Sequence, residues 1–380
     1  MASASRQSTL ESLPHYPTQL PADLPVPKDD GACLHLRRSL LSSISLTATS
    51  GEQLNLASLT SPTVLFFYPR TGVPGHAPSL GFHGEEWDSI PGARGCTPQS
   101  CGFRDLYSQF TALGVRVIGV STNATSHQRE FKERMHVPFE LLSDSKLELT
   151  RALRLPTFEF PTEPENPTTL IARMAWYAEP DASADTPHPS TARIRKVWYP
   201  VFPPNENATN VLAWLKRRSE VRIVRREARH DAFVREELTK HWAGTQIWSR
   251  NVGYDADRLP ALVAERHGVP IGLCTYEILT GGAQCEVVTL STRDEGRGVG
   301  ERLLDAAADI ARAAGCWRVF LTTTNDNIRA IGFYQRCGWT LAAIHKGIVE
   351  DARRRGAPIP KIGPSGLPIR DEIEFELDFQ

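Results

Sequence analysis

The sequence contains no run of eighteen apolar residues, so no helix long enough to cross a membrane is expected. It also lacks an excess of either charge: 43 Lys and Arg stand against 44 Asp and Glu, a formal net charge of -1. A chain so balanced has no general pull toward nucleic acid or an anionic bilayer, and neither is expected as a partner. A charged N-terminal stretch followed by a long apolar one is missing, which argues against a secretory leader and for the cytoplasm. There is no Gly/Ser-rich linker and no internal repeat. Cysteine is present, but seven is an odd number and the positions are scattered, which argues against a structural disulfide framework.

What is there is length: 380 residues leave room for two or three domains, each with its own core. Residues 1–17 are polar and Pro-containing, as in a tail without fixed structure. Strand-like runs at 64–68, 115–120 and 139–142 alternate with helical ones at 128–136 and 146–153, which predicts an α/β sheet. Residues 170–177 and 194–201 read as paired strands around a turn-rich loop, 180–191, with His188 solvated; 208–216 reads as a closing helix. The pattern resets at 216–220, giving domains at 18–218 and 221–380.

Two cysteines organise the first domain. Cys96 and Cys101 lie where a turn-rich run (Pro91, Gly92, Gly95) gives way to Phe103, Leu106, Tyr107, Phe110 and Leu113, spaced as one apolar helix face. Thr97 reads as the cap and Pro98 as a first-turn residue, so Cys96 sits at a helix mouth. Unpaired N–H groups and the positive end of the dipole favour a thiolate there, and Arg94 adds a cation. A thiolate attacks a peroxide O–O bond and becomes a sulfenic acid, which a second thiol must capture; Cys101 is the candidate. Five residues along an intact helix put the two Cα atoms about 8 Å apart, beyond the ~7 Å a disulfide spans, so the helix must unwind locally. A metal site would need further ligands at tight spacing, and none is nearby.

The run Cys96-Thr-Pro-Gln-Ser-Cys-Gly-Phe-Arg-Asp105, after the strand 63–69 and before 114–122, resembles peroxiredoxins of the bacterioferritin-comigratory-protein type. The resemblance covers about residues 18–218. It implies a thioredoxin-like fold, Cys96 as the peroxidatic and Cys101 as the resolving cysteine, peroxide substrates, and a dithiol reductant such as thioredoxin. Pro69 and Thr71 match the start of the family's Pro-x-x-x-Thr/Ser-x-x-Cys pattern, with a Gly/Pro-rich insertion carrying Trp87 before Cys96. Gln99 stands where many relatives have Glu, and Arg173 matches the family's active-site arginine.

In the second half, strands are expected at 259–264, 270–276 and 285–290, the last leading through Ser291-Thr-Arg-Asp-Glu-Gly-Arg-Gly-Val-Gly300 into an amphipathic helix at 301–314. Strand, Gly-rich turn and helix together converge N–H donors on an anion. Neither a P-loop nor a Rossmann fingerprint fits this turn. After a strand at 317–322, Asn327-Ile-Arg-Ala-Ile-Gly-Phe-Tyr334 resembles the Asn-x-x-Ala-x-x-Phe-Tyr segment of GNAT N-acetyltransferases. That resemblance covers about 221–380 and implies acetyl-CoA as donor. It assigns the pyrophosphate to Gly296, Arg297, Gly298, Val299 and Gly300, the cofactor arm to Asn327, and proton donation to Tyr334. Glu295 replaces the usual loop-opening Gln or Arg, with Arg293 or Arg297 as compensating cations.

An acceptor amine is mostly ammonium at neutral pH, so a base is required; Glu286, just before the loop, is the candidate, and a solvated strand carboxylate is the alternative. Residues 373–379 alternate as a half-buried strand. Cys274, Cys285, Cys316 and Cys337 fall in apolar contexts and read as core; the acceptor amine is open. The expected fold class is therefore α/β: a thioredoxin-like peroxiredoxin domain followed by an α+β GNAT domain. Two other readings stand beside the double enzyme: a redox sensor that switches the acetyltransferase, and a non-catalytic acetyl-CoA-binding module.

Overall fold

A computed structural model describes residues 20–72, 85–160, 168–181, 192–279, 281 and 283–379. The tail at 1–17, most of the insertion before Trp87, and His188 in the loop lie outside the described residues. The chain splits into two compact units, Met1–Pro180 with Ala192–Leu212, and Asp181–Thr191 with Ala213–Gln380.

The first unit is built on β1 (Ser45–Ala48), β2 (Gln53–Asn55), β3 (Thr63–Tyr68), β4 (Arg116–Ser121), β5 (Glu140–Ser143), β6 (Thr157–Phe160), β7 (Thr168–Ile171), β8 (Met174–Pro180) and β9 (Ala192–Trp198). Its main sheet runs β2-β1-β5-β4-β3-β8-β9, parallel only through β5, β4 and β3. Helices α1 (Glu85–Asp88), α2 (Cys96–Asp105), α3 (Tyr107–Ala112), α4 (Thr125–Arg134), α5 (Glu148–Ala152) and α6 (Asn207–Ser219) complete it, the division between units falling within α6. Every residue of β3 is buried, as a central strand covered on both faces requires. Phe67 packs on Trp176 on one face, while Phe66 stacks on Phe103 of α2 on the other, ring centroids 4.3 Å apart. Burying Phe103 stabilises the unit by about 2 kcal/mol and fixes α2 to the sheet.

The apolar period from Phe103 to Leu113 is not one helix: the backbone breaks at Leu106 (φ -100°, ψ 4°), and α3 starts anew. The expected strand at 170–177 is also interrupted. β7 ends at Ile171 and pairs with β6 in a separate hairpin, while β8 begins at Met174. Between them Ala172 N–H donates to Pro156 and the Arg173 carbonyl accepts from Val201, so Arg173 leaves the ladder. The insertion is anchored by Trp87, buried against Phe160 and Phe158 of β6.

Glu140 at the start of β5 closes one side of this sheet. Thr49 Oγ1 and the Ser50 N–H donate to its Oε2 at 2.7 and 2.9 Å, and Lys132 pairs with Oε1. Burial opposes its ionisation, but Lys132, Thr49 and Ser50 outweigh that and hold the carboxyl down at about 2, against 4.5 unperturbed. A depressed folded-state value means stability present above 4.5 and lost as the pH falls toward 2. Glu140→Gln is therefore expected to lower stability by about 1 kcal/mol at neutral pH, after allowance for solvent screening. In urea titrations the deficit should vanish across that acid window.

The second unit has β10 (Val221–Arg225), β11 (Gln246–Ser249), β12 (Val252–Asp255), β13 (Ala261–Arg266), β14 (Val269–Ile278), β15 (Gln284–Thr292), β16 (Arg318–Thr324), β17 (Thr340–His345) and β18 (Glu372–Asp378). Its helices are α7 (Asp231–Trp242), α8 (Val299–Ala313), α9 (Ile328–Arg336) and α10 (Ile348–Arg354). The sheet runs β10-β13-β14-β15-β16-β18-β17, with only β15 and β16 parallel, joined by the α8 crossover. Their pairing stops at Val287 and Leu321 although β15 continues to Thr292 and β16 to Thr324, so the two strands part.

One sheet face carries Val319, Leu321, Phe375 and Leu377 into a core with α8 and α9. The other carries Glu286, Phe320 and Glu376 in register, then Thr322 opposite Glu374. The alternation expected at 373–379 departs at Glu374, which is buried rather than solvated; it and Glu372 are each only 4% exposed.

Candidate active sites

Gly95, not Thr97, is the N-cap of α2, and Cys96 is its first residue. Gly95 takes φ 104°, and a Cβ there would lie 2.3 Å from Pro204, so glycine is required on both counts. Cys96 is buried, and its sulfur lies 3.2 Å from Arg173 Nη2 and 3.7 Å from the Ala93 carbonyl. Arg173 is buried too and is held all round. It donates to the carbonyls of Gly92 (3.1 Å), Ala93 (2.9 Å) and Arg94 (3.1 Å), and to Gln99 Oε1. Gln99 passes the hold on, donating to Asn207 Oδ1 at 3.0 Å. A neutral Gln99 accepts from Arg173 without neutralising it, so the guanidinium charge faces the sulfur.

Thr71 and Pro69 are placed differently from that pair. The buried Thr71 bonds Asn123 through its N–H (3.0 Å) and meets His127 Nε2 through Oγ1 (3.3 Å). Burial lowers the His127 pKa, which leaves the ring neutral at pH 7. The Pro69 carbonyl accepts from Ser121, the last residue of β4, and from Thr122 just beyond it. Three positions before Cys96 stands Ala93, whose carbonyl serves the site. Arg94 turns to Asp88 at 3.2 Å.

Cys101 lies on the same unbroken helix, buried, with burial pushing its thiol up and Arg104 pulling it back. All seven cysteines are free. Cys274, Cys285, Cys316 and Cys337 are buried in the second unit's core, Cys285 pushed by burial to about 12. Cys33 is buried beside Met174 and likewise raised to about 12 by burial, then by Asp30 and Asp29.

In the second unit the glycine turn ends at Gly298, the N-cap of α8 (φ 81°), with no side-chain cap. The N–H groups of the first turn therefore lack a side-chain partner at that cap. At Gly296 and Gly298 nothing lies within 4 Å of where a Cβ would be, so the cradle has room for a phosphate group. Val299 and Gly300 are buried in the first turn, Gly300 against Phe333. Arg297 pairs with Asp294 at 3.2 Å, Arg293 with Glu236 and Glu237, and Glu295 with Arg329. Glu295 is thus matched by Arg329, a partner the sequence reading passed over. Asn327 caps α9, accepting from the Ala330 N–H at 3.2 Å.

Tyr334 is buried among Phe333, Trp339 and Phe375, its phenol pushed up by burial and so protonated at neutral pH. Glu286 is fully buried rather than solvated. Its Oε1 accepts from Ser249 Oγ at 2.5 Å, and its Oε2 from Tyr254 (2.8 Å) and Arg250 (3.3 Å). These partners come from the β11–β12 hairpin, which periodicity alone did not assign to the site. The signal available was Trp248-Ser-Arg-Asn-Val-Gly253, a polar turn between two short β-prone runs.

Known proteins match both halves. The AhpC/TSA family model matches residues 89–174 and the acetyltransferase (GNAT) family model residues 221–339. The uncharacterized protein YdhI of Bacillus subtilis (strain 168) is 39% identical over 139 residues, 36% of this chain and 86% of that protein. A putative peroxiredoxin bcp of Coxiella burnetii is 35% identical over 101 residues, 26% of this chain and 54% of that one. Peroxiredoxin Q, chloroplastic, of Suaeda salsa is 28% identical over 170 residues, 44% of this chain and 66% of its own length. The match thus spans between half and two thirds of these two peroxiredoxins. The chain thus joins a region matching the AhpC/TSA family, in its first unit, to one matching the acetyltransferase (GNAT) family, in its second: it is a peroxiredoxin–GNAT fusion.

Proposed function

We propose that the first unit reduces hydrogen peroxide or alkyl hydroperoxides with Cys96 as nucleophile and Cys101 as the resolving thiol. The observation that carries this is the buried guanidinium of Arg173 at 3.2 Å from the Cys96 sulfur. Arg173 sets its charge and N–H donors beside the attacking sulfur, where they stabilise the negative charge that develops on the departing oxygen. Cys96 takes one peroxide oxygen and becomes a sulfenic acid while the other oxygen leaves as alkoxide or hydroxide. The Cys101 thiol then displaces water, forming the Cys96–Cys101 disulfide. An external dithiol such as thioredoxin returns both sulfurs to thiols. The odd number and scattered positions of the seven cysteines fit a reducing, cytoplasmic setting.

Resolution needs α2 to open from its N-terminal end, where Gln99 and the Ser100 Oγ bond to the Cys96 carbonyl (3.0 Å) must let go. Phe103 stays under Phe66 as the hinge. With thioredoxin, thioredoxin reductase and NADPH, Cys101→Ser is expected to consume about one equivalent of peroxide and stop, whereas wild type turns over. Sustained turnover by Cys101→Ser at the wild-type rate would remove Cys101 from the role.

The second unit, in the same reading, transfers an acetyl group from acetyl-CoA to an amine. The open cradle from Gly296 to Gly300 at the N-terminus of α8 and the parting of β15 from β16 support it. When bound, acetyl-CoA supplies an activated thioester. Gly296, Arg297, Gly298, Val299 and Gly300 hold its pyrophosphate, Asn327 its arm, Glu286 takes the amine proton, and Tyr334 gives its proton to the departing sulfur. Calorimetry with acetyl-CoA, followed by a panel of a polyamine, a lysine peptide and an aminoglycoside, tests this. Absence of acetyl-CoA binding would contradict it.

A further inference from the structure

Glu286 is fully buried, so an acceptor amine does not reach it directly. Ser249, itself 3% exposed, gives its single hydroxyl proton to Glu286 Oε1 at 2.5 Å. Ser249 Oγ also lies 2.8 Å from Thr322 Oγ1. With its own proton spent on Glu286, Ser249 can only accept from Thr322, so the chain has one direction, from Thr322 through Ser249 to Glu286. Its outer end is a threonine oxygen with a lone pair to spare. Thr322 is half-buried and one residue beyond Leu321, where β16 leaves β15. The other carboxylate oxygen is occupied by Tyr254, whose phenol burial and the Glu286 charge hold protonated, and by Arg250, which has no acceptor.

We propose that Thr322 and Ser249 are relay residues that carry the acceptor's proton to Glu286; this rests on the reading of Glu286 as the base. An ammonium proton passes to Thr322 Oγ1 as the Thr322 proton moves to Ser249 and the Ser249 proton to Glu286. Three bonds to hydrogen break and three form, leaving a neutral amine, two intact hydroxyls and a protonated carboxyl. The charged and titratable groups around Glu286 are Arg250 and the neutral Tyr254 on the hairpin, Glu277 across on β14, and Glu372 and Glu374 on β18. Glu374 is in turn shared by Arg250, Arg318 and His345.

The test is kcat/KM from about pH 6 to 9 for wild type, Thr322→Val, Thr322→Ser, Ser249→Ala and Glu286→Gln, using the fastest panel amine. Thr322→Val and Ser249→Ala should lose about 10- to 100-fold at pH 7 and recover about tenfold per pH unit as the neutral amine accumulates. Thr322→Ser should keep the wild-type profile. Acetyl-CoA affinity should be unchanged, and the pH 7 deficit of Thr322→Val and Ser249→Ala should shrink with hydroxylamine, which is already neutral there. A uniform loss across pH, or a wild-type profile for Thr322→Val, overturns the relay. If Glu286→Gln alone steepens the profile, the base stands and the relay falls; if Glu286→Gln keeps the wild-type profile, both fall.

Discussion

Cys96→Ser is expected to show no peroxide reduction above background, a loss on the order of 10⁴-fold or more, because no other sulfur meets the same partners. The six remaining cysteines are buried, and the raised values resolved for Cys33 and Cys285 make them poor nucleophiles. Cys101 is held up by burial as well, so it does not substitute while α2 is intact. Folding should be little affected, since the hydroxyl can keep a bond to the Ala93 carbonyl. The check is peroxide consumption in the thioredoxin-coupled assay, with urea unfolding of the first unit as the sign that the variant has folded.

Arg173→Met should have the second largest effect. It removes the one cation at bonding distance from Cys96 among the described residues, for which about 10²- to 10³-fold in rate is expected. It also strands the buried Gln99 Oε1, an unmet acceptor costing about 1–3 kcal/mol, and takes the Arg173 bonds from the carbonyls of Gly92, Ala93 and Arg94. Stability of the first unit should therefore fall together with rate. Arg173→Lys separates the two roles: it keeps the charge but not the five-donor fork, and is expected to recover part of the rate and little of the stability. Stopped-flow peroxide consumption and urea unfolding on both variants measure these effects.

Much of this was legible in the residues. The Cys96–Cys101 pair, the buried run of β3 and the Asn327–Tyr334 segment signal themselves because spacing and hydrophobic period are local properties. Arg173 was findable only by resemblance, and its place was not: 170–177 reads as one strand, and the break that turns Arg173 toward Cys96 is made by Pro156 and Val201, far away in sequence. Thr97 looked like a cap because it is the right residue type, but a positive φ and the proximity of Pro204 decide for Gly95. Glu286, Glu372 and Glu374 alternate with apolar neighbours as solvated carboxylates would. They are buried because Arg250 and the β11–β12 hairpin reach over that sheet face, a tertiary fact that alternation does not encode.

The most direct measurement is peptide mapping by mass spectrometry after one equivalent of hydrogen peroxide, on wild type and on Cys101→Ser with a sulfenic-acid trap present. The expected products are a single disulfide joining Cys96 to Cys101 in wild type, and a trapped sulfenate on Cys96 alone in the variant. A sulfenate or disulfide at any other cysteine, with Cys96 still a thiol, would contradict the account.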